Sequence, residues 1–306
     1  MQRFTRNAII IAFGATAVSA HALINQNQGR DTAVLQKKAA RFGARDDYLV
    51  QRALCLNDTQ GSQHDCAVAA ESDLQDAFEL INEQFAARLD ILNFIGPGPY
   101  DPQLAPNEFS SDITNTLFPL VPGRTLVYEV VTPEGVEHIE YQETNVVRTL
   151  NGINCREVHD VSSVNGELKE DTYDWFAQRA NGDVWYMGEF AQQLAGGFVE
   201  GIEGSWRFGK NGAKPGIQMR ASPSVGEVYR QEYALGDAED MARIISIDQS
   251  VTVPAGVFPH CLVTDEFSPL DPSASHVERK YFAPGVGLVL TVNLGSGERE
   301  ELIAVH

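Results

Sequence analysis

The chain has 306 residues, of which 42 are acidic and 23 are basic, so its formal net charge is −19. This balance argues against binding to nucleic acid or to anionic lipid, because both require clustered Lys and Arg. It suits a soluble, self-repelling surface or one that attracts cations, and solubility is the simpler interpretation.

The N-terminus has the order of a cleavable secretory signal. Arg3 and Arg6 form a positive region, residues 8–18 are apolar, and the Ala-His-Ala sequence at 20–22 supplies a small–x–small cleavage pattern. The apolar run of about 11 residues is too short to cross a bilayer core of about 30 Å as a helix, although an uncleaved anchor is the competing interpretation. We predict that residues 1–22 are a signal peptide, with cleavage after position 20 as the alternative.

Export sets the expected environment of the mature chain. No later stretch is long and apolar enough to cross a membrane. No Cys lies near the cleavage position, so a lipid anchor on a new N-terminal Cys is not expected. We therefore expect a secreted or periplasmic protein that has no transmembrane segment after signal cleavage.

Residues 23–95 are predicted to form a helical hairpin. They lack Pro from position 31 onward and are rich in Ala, Gln, Glu, Leu and Arg, which favour helices. A turn cluster at 57–62 separates the two helices. The second helix has apolar residues at spacings of three and four, which place them on one face. These residues are Leu74, Phe78, Ile81, Phe85, Leu89 and Leu92.

Four cysteines in an exported chain suggest disulfides. We favour Cys55–Cys66 and Cys155–Cys261, because each pair lies within one predicted domain. The first pair would join the two helices beside their turn. The second would tie an early strand to a late one and stabilise the fold by about 4–5 kcal/mol in the chain-entropy description. Buried free thiols are the alternative.

Residues 96–116 are predicted to be a linker rich in Pro and Gly, and residues 117–306 an antiparallel β domain. Val-, Ile-, Thr- and aromatic-rich runs alternate with turns, and Asn-Gly pairs at 151, 165 and 181 indicate three successive hairpins. A meander of about a dozen strands must hide its edges, so it is expected to form a barrel or half-barrel. The predicted strands are 126–131, 136–150, 153–164, 168–178, 184–190, 202–208, 228–235, 243–253, 262–267, 277–283, 288–294 and 298–304.

Several segments look similar to the β domain of uncharacterised secreted bacterial proteins. The similarity covers roughly two thirds of the chain. It implies export and a barrel related to the lipocalin-like and lipoprotein-carrier-like folds, often preceded by a helical segment with paired cysteines. It implies no established activity, so no functional residues are carried over. The segments are 100–102, 118–125, 171–175, 182–189, 212–217, 251–256 and 281–287.

An aromatic and acidic block is the strongest candidate for a ligand site. Tyr173 and Trp175 share one strand face with Asp171, opposite Thr172 and Asp174. Trp, Tyr and Met on one inner wall, beside a few carboxylates, would suit an apolar ligand with a polar end. An ordinary aromatic core is the alternative interpretation. The candidate ligand-binding residues are Tyr173, Trp175, Trp185, Met187, Trp206, Met219 and Tyr229.

An acidic cluster near Gly236 is a candidate calcium site. Glu232, Asp237, Glu239 and Asp240 supply the oxygen ligands that calcium prefers. Their spacing matches no complete EF-hand loop, so solvated surface charge is the simpler interpretation. No other cofactor is predicted.

The sequence leaves enzymatic activity open and favours none. Ser205 lacks the Gly-x-Ser-x-Gly turn of a nucleophile elbow, and four candidate histidines are scattered along the β domain. The leading hypothesis is non-catalytic binding of a hydrophobic or amphipathic small molecule, a lipid included, within the barrel. One alternative is a structural or interaction protein of the cell envelope, with the hairpin as docking element. The other is a hydrolase or lyase whose residues meet only in the fold. The four histidines are His138, His159, His260 and His276.

Overall fold

Two long helices open the part of the chain that the computed structural model describes, residues 27–59 and 61–306. Helix α1 spans Gln28–Asn57 and helix α2 spans Gln63–Ile95. Helix α2 begins where the side chain of Ser62 accepts a hydrogen bond from the Asp65 amide at 3.2 Å, and it ends at Gly96. The helical hairpin is confirmed, whereas the predicted signal peptide lies outside the described residues.

The hairpin is closed by one disulfide and by packing of cations on aromatic rings. Cys55 and Cys66 are bonded, with their Cα atoms 5.6 Å apart, so this predicted pair is confirmed. Along the hairpin, the Arg41 guanidinium lies 4.1 Å from the centre of the Phe78 ring, and Lys37 lies 4.5 Å from that of Phe85. No helix among the described residues is long and apolar enough to cross a membrane.

The hairpin and the linker both contact the β domain. Arg88 of α2 pairs with Glu239 at 2.9 Å, and Gln84 donates to the backbone oxygen of Leu270 at 2.7 Å. The linker contains a 3-10 turn at Pro106–Glu108, and the Tyr100 hydroxyl donates to the backbone oxygen of Pro215 at 2.8 Å. These contacts pack the linker along the outside of the sheet.

The strands form a nearly closed antiparallel barrel, so the mainly β fold class is confirmed. A second 3-10 turn spans Ala274–His276. In chain order the described strands are β1 (Phe109–Ser110), β2 (Thr125–Thr132), β3 (Gly135–Leu150), β4 (Ile153–Val164), β5 (Glu167–Arg179), β6 (Val184–Ala195), β7 (Phe198–Gly201), β8 (Trp206–Arg207), β9 (Lys214–Met219), β10 (Val228–Arg230), β11 (Glu232–Tyr233), β12 (Met241–Val253), β13 (Gly256–Phe267), β14 (Glu278–Ala283), β15 (Gly287–Asn293) and β16 (Arg299–Val305).

One short segment joins the two ends of the sheet. The strand order runs from β10 through β12–β16 and β2–β6 to β9 and β11. Strand β10 pairs with β12, and β11 pairs with β9, while only Gln231 separates β10 from β11. A Cβ atom on Gly216 would lie 2.3 Å from the carbonyl carbon of Gln231. The backbones therefore approach so closely at this seam that only glycine fits.

The predicted run 202–208 does not form one strand. The chain instead makes β7 and β8, with Gly204 in the left-handed region at φ 83° between them. Strand β9 was not predicted, because Pro215 and Gly216 argue locally against a strand.

The predicted disulfide between Cys155 and Cys261 is wrong. Both thiols are free and buried, Cys155 on β4 and Cys261 on β13, and five strands separate β4 from β13 in the sheet. Their Sγ atoms donate to the backbone oxygens of Ile153 and Phe258 at 3.5 and 3.4 Å. Burial raises the pKa of Cys155 to about 12 and that of Cys261 to about 11, so both are unreactive thiols.

Candidate ligand site in the barrel lumen

The barrel encloses a lumen cavity with a volume of about 270 Å³. Its walls combine two kinds of side chain. The apolar and aromatic lining residues are Phe118, Pro119, Leu120, Leu126, Tyr128, Ile139, Tyr141, Phe176, Tyr186, Phe282, Val286 and Leu288. The charged lining residues are Glu143, Asp160, Asp174, Glu232, Asp240, Glu266, Lys280 and Glu300.

The lining changes from apolar to charged along the barrel axis. Side chains two apart on a strand share a face, so Phe176 and Asp174 of β5 both face the lumen. On β14 the corresponding inward residues are Phe282 and Lys280. Strands β5 and β14 are six pairings apart in an antiparallel sheet, so they run in the same direction. The two Phe residues therefore mark the same end of the lumen.

A segment before β2 packs over this aromatic part of the lumen. The Phe118 ring meets the Phe176 ring edge-on, with centroids 5.1 Å apart, and Phe176 stacks on Tyr186 at 4.8 Å. Arg124 holds the segment in place, since it pairs with the buried Glu143 and donates to the backbone oxygen of Pro119 at 2.7 Å. This anchoring makes the aromatic end a fixed, preformed wall.

Five lumen carboxylates have no basic partner within 4 Å among the described residues. Lys280 is the single cation of the lumen lining, and its Nζ lies 3.0 Å from Glu266 and 3.3 Å from Glu278. Acidic groups therefore outnumber basic groups in the cavity lining. The five carboxylates are Asp160, Asp174, Glu232, Asp240 and Glu300.

Burial makes these carboxylates hard to ionise. It raises the pKa of Asp174 to about 7, although the hydroxyl of Tyr186, which donates to Asp174 Oδ1, works in the opposite direction. Glu189 pairs with Asp174 across β5 and β6 but is not part of the lumen lining, and burial together with Asp174 raises its pKa to about 9. The pKa values of Asp160 and Glu232 are also raised well above the ordinary range, mainly by burial. Perturbed acids in a cavity are typical of functional sites.

The aromatic residues predicted to line the ligand site lie mostly elsewhere. Tyr173 and Trp175 face outward, where Tyr173 stacks on His159 with centroids 4.4 Å apart and Trp175 donates to Glu157 at 3.1 Å. Trp206 packs edge-on against the lumen residue Tyr186, with centroids 5.5 Å apart.

The other predicted ligand residues lie in the core or under the linker. Met187 and Met219 are fully buried in the hydrophobic core. Trp185 is covered by Phe109 of β1, with ring centroids 6.2 Å apart. Tyr229 is buried at the sheet seam.

The structure does not bring the four predicted calcium ligands together. Glu232 and Asp240 line the lumen, whereas Glu239 faces α1 and α2, where it accepts from Arg88 and from Gln36 at 2.8 Å. Asp237 is exposed. Within residues 27–59 and 61–306, no group of three or more His, Cys, Asp or Glu side chains is arranged to hold a metal ion.

The candidate catalytic residues serve other contacts. His159 pairs with Asp171 at 2.8 Å and His260 with Asp248 at 2.7 Å, and neither histidine lines the lumen. Ser205 makes two hydrogen bonds to the backbone of Ala191, at 2.9 and 3.0 Å. This hydroxyl therefore fastens the chain before β8 to β6.

The two remaining histidines also contact acidic side chains. His276 pairs with Asp271. His138 lies 3.7 Å from Glu129 and is well exposed. Neither residue lines the lumen.

Sequence reasoning missed Asp160, Lys280 and Glu300, and it placed Asp174 on the face opposite the expected ligand. The signal was present in the alternation of β5, but both faces of that strand carry aromatic residues. The linker and β1 cover part of the outer face, so outward residues such as Ala177 are as buried as inward ones. Choosing the inner face therefore required the closed barrel.

Searches against protein-family models, curated proteins and solved structures found no match to this chain. The resemblance to secreted bacterial β-domain proteins stays a prediction.

Proposed function

We propose that the protein binds a small amphipathic organic cation in the barrel lumen, without chemical conversion of the ligand. The observation that carries this proposal is the change of lining along the axis, from Phe176 and Phe282 to unpaired carboxylates. An aromatic or alkyl amine matches both parts. Its apolar body lies against the aromatic end, and its ammonium group lies among the carboxylates.

Charge supports a cation over a neutral or anionic ligand. Five carboxylates without a basic partner, against one paired Lys280, make the lumen favourable for positive charge once the acids ionise. A hydrogen bond to a charged group contributes about 1.5–3 kcal/mol. Binding of an ammonium group also lowers the pKa of nearby carboxylates, because an opposite charge favours their ionised form. Cation binding is therefore coupled to proton release.

The cavity volume limits the ligand. At about 270 Å³ the lumen lies just below the range of about 300–1,000 Å³ that is usual for small-molecule pockets. A ligand with one ring or a short alkyl chain fits this space.

The test compares phenethylamine with its neutral analogue 2-phenylethanol by isothermal titration calorimetry at pH 8. We expect the amine to bind at least about tenfold more tightly, and Asp174→Asn to weaken amine binding by about 10–100-fold. Asp171→Asn, on the outer face of the same strand, is the matched control and should bind like the wild type. Equal affinity for amine and alcohol, or unchanged binding by the Asp174 variant, would contradict the proposal.

A second candidate function, docking through the hairpin, is supported by an apolar stripe on α1. Leu35, Phe42, Leu49 and Leu56 recur every seven residues and are between 63% and 69% exposed. The intervening positions of the repeat hold alanine at 39 and 53 and aspartate at 46. Such a repeat is typical of a helix that packs along another helix. A second copy of this chain provides a helix with a matching stripe.

Sedimentation velocity over a range of protein concentrations tests this second candidate. We expect a reversible dimer that the double variant Phe42→Glu/Leu49→Glu abolishes. Gln51→Glu, which adds one negative charge on another side of α1, should leave the dimer intact. A monomer at every concentration would exclude self-docking.

A further inference from the structure

A second cavity lies between the hairpin, the linker and the outside of the barrel. This cleft has a volume of about 650 Å³, and it is separate from the lumen. Helix α1 contributes Leu35, helix α2 contributes Arg88 and Leu92, and the linker contributes Tyr100. The barrel wall near the seam contributes Arg230 and its neighbours.

The cleft collects positive charge in a strongly acidic chain. The net charge of the whole sequence is −19, yet basic side chains outnumber acidic ones in the cleft lining. A basic concavity on an acidic molecule concentrates anions locally. The basic residues are Arg88, Lys214, Arg220 and Arg230, and the acidic residues are Asp31 and Glu239.

Three of the four cations already have a carboxylate partner. Arg88 pairs with Glu239 at 2.9 Å, Lys214 with Asp101 at 2.8 Å, and Arg220 with Glu227 at 2.7 Å. Arg230 differs, because no carboxylate within 4 Å pairs with it among the described residues. It is therefore the cation in the cleft lining that is open to an added anion.

The Arg230 side chain is largely buried and packs against two aromatic rings. Its guanidinium lies 4.6 Å from the centre of the Tyr233 ring and 5.5 Å from that of Tyr100. Its Nη1 donates only to the sulfur of Met241, at 3.7 Å, and its Nε is buried without a partner. Burial also lowers the pKa of Arg230, because a desolvated cation is costly. A bound anion would offset this cost through a charge-assisted pair.

Two aromatic residues of the cleft lining also carry unpaired polar groups. The Trp185 indole nitrogen and the Tyr229 hydroxyl are buried and have no hydrogen-bond partner in the described structure. These side chains are only 6% and 4% exposed. A buried donor without an acceptor is unfavourable, so the cleft wall beside Arg230 has polar groups that could hydrogen-bond to a ligand. This observation is independent of the charge count.

We propose that the cleft binds an amphipathic carboxylate, with its carboxylate on Arg230 and its apolar chain against Leu35, Leu92 and Ile217. The bidentate geometry of a guanidinium fits a planar carboxylate. The apolar lining of the hairpin accepts the rest of the ligand. Because the two walls belong to the hairpin and the barrel, the ligand also fastens these two parts to each other.

Calorimetric titration with dodecanoate tests the site, with dodecyltrimethylammonium and dodecanol as the cationic and neutral comparators. Dodecanoate should bind most tightly of the three. Arg230→Gln should weaken its binding by about 10–100-fold. Arg230→Lys should weaken it by less, because Lys keeps the positive charge but lacks the two parallel N–H donors of the guanidinium. Circular dichroism confirms that each variant is folded.

Arg243→Gln is the matched control. Its guanidinium also lies over two rings, 4.8 Å from the Phe94 centroid and 5.9 Å from that of Phe267, but Arg243 is outside the cleft lining. This variant should bind dodecanoate like the wild type. If Arg230→Gln also binds like the wild type, or if dodecyltrimethylammonium binds as tightly as dodecanoate, the proposal is wrong.

A measurement on the wild-type protein locates the ligand even where a variant does not fold. Hydrogen exchange with and without dodecanoate should show protection in residues 28–36 and 228–235, on the two walls of the cleft. Protection confined to the lumen strands would overturn the assignment. Dodecanoate and phenethylamine should bind without competing, so failure at one site is distinguishable from failure at the other.

Discussion

Asp174 shows how one buried acid couples ligand binding to stability. It is 8% exposed and faces the lumen, and burial raises its pKa from the ordinary 3.8 to about 7. Between these values the unfolded chain ionises Asp174 while the folded chain keeps it protonated. The folded state therefore binds more protons, and the free energy of unfolding falls as the pH rises.

Replacing Asp174 by Asn should remove this contribution. Well below pH 3.8 the variant and the wild type should be equally stable, because the carboxyl is then neutral in both the folded and the unfolded state. Above pH 7 the variant should be more stable by about 2–4 kcal/mol, since Asn carries no charge to desolvate. Urea unfolding at a series of pH values measures the difference, and Asp171→Asn is the control. A variant that is less stable than the wild type at pH 8 would contradict this assignment.

At the scale of strands and turns, the sequence predicted correctly those features that depend only on neighbouring residues, such as the hairpin turns. Asn151 and Asn165 both adopt left-handed φ values, of 47° and 53°, and each precedes a glycine in the turn. The hairpins around them could therefore be predicted from sequence. Strand β9 could not, because the close approach of Gly216 to Gln231 exists only after the sheet has closed. The inward direction of Asp174 depends on the same closure.

The close backbone contact at the seam predicts that Gly216 cannot be replaced without loss of stability. Gly216→Ala should destabilise the barrel by more than about 2 kcal/mol, because its Cβ would collide with the backbone of Gln231. Gly43 is the matched control, since it lies in α1 and has no atom within 4 Å of an added Cβ. Gly43→Ala should stabilise the protein by about 0.5–1 kcal/mol. Thermal unfolding of both variants checks the contrast, and equal melting temperatures would show that the seam tolerates a side chain.

The disulfide between Cys55 and Cys66 is expected to stabilise the hairpin independently of the barrel. Cys55 and Cys66 close a short loop with a sequence separation of 11. Replacing both by Ser should cost about 3 kcal/mol of hairpin stability, because the unfolded loop regains its freedom. Hydrogen exchange should accelerate in α1 and α2 and remain unchanged in the barrel strands. Uniform acceleration through the barrel would instead show that the hairpin and barrel unfold as one unit.

At the scale of the whole molecule, two cavities of opposite charge lie on the two sides of one wall. The lumen is acidic and the cleft is basic, and the segment from β10 to β11 contributes to both. Arg230 lines the cleft, whereas Gln231 and Glu232 line the lumen. Of these two cavities the hairpin lines only the cleft, so its attachment to the barrel affects the cleft and not the lumen.

The attachment depends on Glu239, which is 1% exposed and receives Arg88 and Gln36 from the two helices. Burial acts to raise the pKa of Glu239, but the hydrogen bonds and charge of Arg88 outweigh it and hold the pKa below its ordinary value. The folded state thus favours the ionised carboxylate. This pair contributes stability above the unfolded pKa near 4.5, and the contribution is lost as the pH falls through the lower folded value.

Arg88→Met should therefore cost about 3–5 kcal/mol at pH 7, because it leaves a buried carboxylate without its cation. Arg299→Met, which breaks an exposed pair with Glu301, should cost at most about 1 kcal/mol. Adding Glu239→Gln to the Arg88 variant should recover part of the loss, since the amide needs no counter-charge. Urea unfolding of the wild type and the three variants measures these differences.

The Arg88→Met variant should also bind dodecanoate more weakly than the wild type, while its affinity for phenethylamine should be unchanged. The reason is that the hairpin forms one wall of the cleft and none of the lumen.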